Sequence, residues 1–109
     1  MEVKKNEIYD LKYHIADYIV PRLTAYIDKF KKGESPSSAI FKDEEKKVGR
    51  KLTFEENDKM WISILEDIIF PFDLLHDPNK YEKLDSEEIL IRKKRGLELF
   101  SKYFEDLWI

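Results

Sequence analysis

Side chains able to hold a metal or move a proton gather first near the start of the chain, where Asp10, His14 and Asp17 stand at i, i+4 and i+7. On a helix that spacing lines three candidate ligands along one face. The same periodicity puts this face opposite the apolar stripe, in water, without the outer hydrogen bonds that orient a metal's ligands. A solvated polar face is the expectation, and no metal or cofactor is assigned. His76 beside Asp77 falls in a turn. With 2 histidines in the chain, acid–base catalysis would rest on carboxylates, and among 23 Asp and Glu no pair stands out. There is no Ser–His pairing, glycine-rich phosphate loop or metalloprotease helix motif. The expectation is a chain that is not an enzyme.

The run Arg92-Lys93-Lys94-Arg95 carries more information. Helical spacing points Arg92 and Arg95 away from the apolar stripe, sets Lys94 at its edge and places Lys93 inside it, between Ile89 and Phe100. A lysine on a core face destabilises unless its stem packs and its ammonium reaches water or a carboxylate such as Asp58. The alternative is an anion or nucleotide pocket, in which Gly96 leaves backbone room and Arg92 with Lys93 supplies charge. Gly96 equally suits close helix–helix approach.

A third group is apolar where water is expected. Phe70 and Leu74 lie opposite the core arc of their helix, and Ile91 and Leu99 are similarly placed on the next. Four large apolar side chains on wet faces form a candidate protein contact. The competing account has residues 39–52, or the chain after Pro71, folding over them.

Helices must position all of these. The first pattern runs from about Lys5 to Lys32, with Ile8, Leu11, Ile15, Tyr18, Ile19, Leu23, Tyr26, Ile27 and Phe30 on one face. It passes Pro21, which fits either one curved helix or two meeting there, and Gly33 is a stop. Residues 33–38 read as a loop, and residues 39–52 as a short helix anchored by Ile40, Phe41, Val48 and Leu52. The second strong pattern opens at Thr53, whose spacing to Glu56 is that of a capping box. Its wide apolar arc suits a central helix, and Pro71 is expected to bend or end it near Phe70. A turn at 76–79 leads to a third helix from Asp85 or Ser86, with a stripe from Ile89 to Trp108.

The fold expected is all-α: one domain over residues 1–109, a small helical bundle of three long helices with a short helical insertion. The net charge of −3 argues against a nucleic-acid binder relying on bulk charge. No run of about 18 apolar residues is present to span a membrane, and the first residues lack a signal peptide's apolar region. With no cysteine, a reducing cytoplasm is the natural compartment.

The segments WISILEDIIFPF and RGLELFSKYFEDLW, at 61–72 and 95–108, resemble a group of small, mostly uncharacterised proteins encoded by tailed bacteriophages. The matching positions are Trp61, Leu65 and Phe72, then Gly96, Leu97, Leu99, Phe100, Lys102, Tyr103, Phe104, Leu107 and Trp108. Residues 18–30, with Pro21, Arg22 and Leu23, match more loosely. Pro71 and the final Ile109 depart from the group's pattern. The resemblance implies a phage source and expression in the cytoplasm of an infected bacterium. It transfers no catalytic residue. The function expected is a non-enzymatic accessory protein that binds, and inhibits, a host or phage protein. Self-association through the same surface is the other partner expectation.

Overall fold

A computed structural model describes residues 2–34 and 41–107. Ile40, Trp108 and Ile109, all part of the sequence expectations, lie outside the described residues. Among those described the fold is all-α, with helices α1 (Leu11–Lys31), α2 (Lys42–Val48), α3 (Phe54–His76) and α4 (Ser86–Tyr103) and no strand. Short 3-10 turns occupy Lys5–Glu7, Pro78–Tyr81 and Phe104–Asp106.

Two of the helix starts follow from local chemistry. At α3 the Thr53 hydroxyl accepts from the Glu56 amide at 3.1 Å, while the Glu56 carboxylate accepts from the Thr53 amide at 3.0 Å. These bonds satisfy donors that a helix start leaves without partners. The same carboxylate receives the Arg50 guanidinium at 2.8 and 2.9 Å. Arg50, reinforced by the Thr53 amide, holds Glu56 down at a pKa of about 2. At α4 the Asp85 side chain accepts from the Glu88 amide at 2.7 Å.

The start of α1 is a correction. The helix begins at Leu11, because Asp10 takes a left-handed backbone with φ of 50° and separates the helix from the Lys5–Glu7 turn. Aspartate is among the few residues that visit this region readily. The α1 core face also differs from expectation. Ala16, Val20, Leu23, Ile27 and Phe30 are buried, whereas Ile8, Leu11, Ile15 and Tyr18 are exposed. The apolar arc is wider than the contact α1 makes, and one edge of it stays uncovered.

That contact is with α3, which also packs against α4; α1 and α4 make no comparable contact with each other. Both flanking helices run antiparallel to α3. Phe30 and Tyr103 bring their rings to 6.5 and 5.6 Å from Trp61 near the α3 start, while Asp17 lies 2.8 Å from His76 at its end. Trp61, Leu65 and Ile68 are wholly buried at the centre, and Phe41 covers Trp61 from the chain before α2, with ring centroids 6.4 Å apart.

Neither proline ends its helix. Pro21 lies within α1 and Pro71 within α3, which continues to His76. The Pro71 ring sits against Gly96 of α4, where an added Cβ would lie 2.5 Å from the proline Cδ. After α4 the turn Phe104–Asp106 carries the chain across to α1, where the Tyr26 hydroxyl donates to the Asp106 carbonyl at 3.3 Å. One end of the space between α1 and α4 is thereby bridged. The other end stays open.

The molecule measures 52 × 39 × 23 Å with a radius of gyration of 16.1 Å. A compact chain of this size has a radius of about 13 Å, so the helices are spread in a slab roughly two helix diameters thick.

Candidate functional site

The open end forms a groove of about 360 Å³ over the last turns of α3. Its floor is Pro71, Phe72, Leu74 and Leu75 of α3. Its walls are Ile15 of α1 and Leu97 of α4, which are 48% and 45% exposed. Its two charged lining residues are both lysines, Lys12 and Lys93. Each wall continues as an exposed apolar stripe. Leu11 and Tyr18 flank Ile15 at helical spacing on α1, and Leu90 precedes Leu97 by two turns on α4, with Phe104 exposed just beyond the end of that helix. Exposed apolar residues grouped in this way make the groove a candidate contact surface.

Of the four sequence-based contact candidates, Leu74 lies on the groove floor and Ile91 is exposed. Leu99 packs partly buried against the core. Phe70 is a correction, since it is only 1% exposed. The chain after Pro71 folds over it: the Tyr81 ring meets Phe70 edge-on at 5.0 Å, and the Arg92 guanidinium stacks above it at 4.0 Å. Sequence periodicity puts the groove residues Ile15 and Leu97 on core stripes, Leu97 within the one from Ile89 to Trp108, whereas both are about half exposed. The signal that could have found them was the width of the α1 arc, broader than one helix contact needs.

The anion-pocket residues are not brought together. Arg92 is committed to the Phe70 ring, and Lys93 stands exposed on the groove rim. Gly96 is buried, and its space is taken by Pro71 and by the Asp67 carbonyl, which an added Cβ would meet at 2.5 Å. Gly96 therefore serves close helix approach. Arg95 turns to Asp67, with Nε 3.2 Å from the carboxylate.

Tyr81 is held by a buried acid that sequence reasoning did not single out. Asp73 is 6% exposed and accepts hydrogen bonds from the Tyr81 hydroxyl and, at 2.8 Å, from Lys80 Nζ. Burial works to raise the Asp73 pKa, but the bonds from Lys80 and Tyr81 outweigh it and the carboxyl falls below its ordinary 3.8. The arrangement is a clasp that pins the Pro78–Tyr81 turn over Phe70. Each polar group in it is engaged within the fold.

The early acidic face does not converge. Asp17 turns to His76 at 2.8 Å, and among the described residues no group of three or more His, Asp or Glu is placed to hold a metal ion. A second hollow of about 410 Å³, lined by Phe41, Met60, Ile64 and Tyr103 with several charges of both signs, lies beside α2. No described helix is long and apolar enough to cross a membrane. In comparisons with known proteins, no family model, no curated protein and no solved structure matches this chain.

Proposed function

We propose that this chain is a non-enzymatic phage accessory protein that works in the cytoplasm of an infected bacterium by binding a host or phage protein and inhibiting it. The arrangement is read as a small open bundle of three long helices with a short helical insertion. The observation that supports binding is the groove between α1 and α4: an apolar floor and walls with both rims uncovered. The phage source rests on the resemblance of residues 61–72 and 95–108.

The contact surface is accordingly assigned to Ile15, Leu74 and Leu97; Ile91 lies apart from the groove beside Asp85, Glu87 and Glu88, Leu99 packs against the core, and Phe70 is removed from the surface. The test is retention of host-lysate proteins on the immobilised chain, compared between wild type and Ile15→Lys/Leu97→Lys. Both wall positions are about half exposed, and substitutions at such sites usually change stability by about 0.5 kcal/mol or less. Circular dichroism and a thermal melt confirm that the double variant folds. We expect one stoichiometric protein on the wild-type chain and its loss on the variant. Equal retention by both would remove the groove from function. No retained protein, with a light-scattering mass of a dimer that the variant reduces to a monomer, would replace partner binding by self-association.

A further inference from the structure

We infer that the occupant of this groove is an amphipathic helix of a partner protein that carries carboxylates along the flanks of its apolar face. The inference rests on the protein-binding reading above and goes further by naming the chemistry of the partner.

The shape argues for a helix. α3 packs on α1 and α4, and those two make no comparable contact with each other. Three helices so placed occupy three corners of a four-helix arrangement, and the vacant corner lies opposite α3, between α1 and α4. Ile15 and Leu97 line it, and the exposed apolar residues beside them have helical spacing: Leu11 and Tyr18 on α1, Leu90 on α4. Leu11 to Tyr18 and Leu90 to Leu97 each cover seven residue steps, about 10 Å at 1.5 Å per residue. That length receives about two turns of a partner helix, enough for apolar anchors at i, i+4 and i+7.

The charge argues for an acidic partner. Lys12 and Lys93 line the groove from opposite walls. Neither has a carboxylate partner among the described residues. A partner helix with Asp or Glu beside its apolar stripe meets one lysine on each flank. Exposed pairs of this kind select the partner and speed encounter more than they tighten the complex. The apolar anchors carry the affinity. A second copy of this chain is the poorer occupant, because a two-fold contact through the groove presents the same lysines to the same lysines.

The experiment is selection from a displayed library of 16-residue helical peptides, with apolar residues at i, i+4, i+7 and i+11 and the flanking positions varied among Glu, Lys and Gln. The bait is the whole chain, and enriched peptides are then synthesised and titrated by fluorescence anisotropy. We expect enrichment of Glu on both flanks. Ile15→Lys/Leu97→Lys should weaken those peptides at least tenfold. Lys12→Glu/Lys93→Glu, confined to exposed side chains, should reverse the preference in favour of Lys-flanked peptides. If Gln- or Lys-flanked peptides bind the wild-type chain as tightly as Glu-flanked ones, the acidic-helix assignment is overturned while a protein-binding groove stands. If no helical peptide is enriched, or binding ignores both variants, the helix assignment is overturned. The lysate comparison above then decides separately whether the chain binds protein at all. Binding of the same chain to phosphatidylglycerol vesicles in place of peptides, lost in Lys12→Glu/Lys93→Glu, would overturn it in favour of a lipid surface.

Discussion

Gly96 sits in the middle of α4, where glycine is about 1 kcal/mol less favourable than alanine. Local preference alone therefore favours replacing it. The tertiary contact reverses the sign, because a Cβ there would lie 2.5 Å from both the Asp67 carbonyl and the Pro71 ring. That carbonyl is the one Pro71 leaves without its usual helical donor, since a proline at i removes the bond to i−4. Glycine lets α4 approach the place where α3 has lost that bond. Neither a backbone oxygen nor a proline ring has a rotamer with which to step aside. Forcing extra atoms into a packed contact costs about 1–3 kcal/mol. We expect Gly96→Ala to destabilise by up to about 2 kcal/mol after the gain in helix preference. A lower urea midpoint at unchanged slope would confirm it, and a raised midpoint would show that the two helices can separate freely.

At the scale of elements, the Pro78–Tyr81 turn is short and has little apolar burial to hold it, so its position depends on Asp73. Removing a buried acceptor and stranding its donors typically costs about 1–3 kcal/mol. Lys80 keeps 59% of its side chain in solvent, so water screens its share and the Tyr81 bond carries more of the loss. We expect Asp73→Ala to reach the middle of that range, read by chemical denaturation. The pH dependence has a definite sign at each end. Asp73 has its pKa lowered, so its contribution is whole above 3.8 and is lost as pH falls through the depressed value. Tyr81 is raised above 10.0 by burial and by its bond to Asp73, and Lys80 above 10.5 chiefly by its bond to Asp73. Their contributions are whole below those values and are lost as pH rises through the raised ones. In Asp73→Asn we expect both limbs of the stability profile to flatten relative to wild type. Identical profiles would show that the clasp adds nothing to folding.

Across the whole molecule, stability is unevenly placed because α3 alone packs on both long neighbours. Opening α3 breaks the core on two sides, whereas the Lys5–Glu7 turn has no buried residue and α2 buries none of its own seven residues. Amide exchange reports such differences directly. We expect the slowest exchange at Trp61–Phe72 and fast exchange at residues 4–9 and 42–50, followed by mass spectrometry. Uniform protection along the chain would contradict the picture of a central helix with two wings. The same uneven packing leaves the groove. A chain that builds two helix contacts around one core helix has apolar edges left on both wings, and a partner helix in the vacant corner would cover them.

Local chemistry made much of this legible before any tertiary structure. The capping pairs Thr53–Glu56 and Asp85–Glu88 set the starts of α3 and α4, since those bonds involve only neighbours in sequence. The wide arc of Trp61, Leu65, Ile68 and Phe72 marked α3 as central, because the 3.6-residue period is a property of the backbone. What periodicity does not contain is which part of an apolar arc meets a neighbour. Ile15 and Tyr18 share the broad apolar face of α1 with Ile27 and Phe30, and only the angle at which α1 lies on α3 decides that one edge is buried and the other wet. Phe70 shows the converse: it lies off the core arc, yet Tyr81 and Arg92, distant in sequence, close over it. Likewise the sequence shows that Pro71 interrupts the backbone bonding of α3, but only the structure shows that its ring packs against Gly96 of another helix. The sequence by itself determined helix content, caps and the central helix, all set by interactions within a few residues. The groove, the covered phenylalanine and the close Pro71–Gly96 packing depend on distances between helices, and those the tertiary structure alone decided.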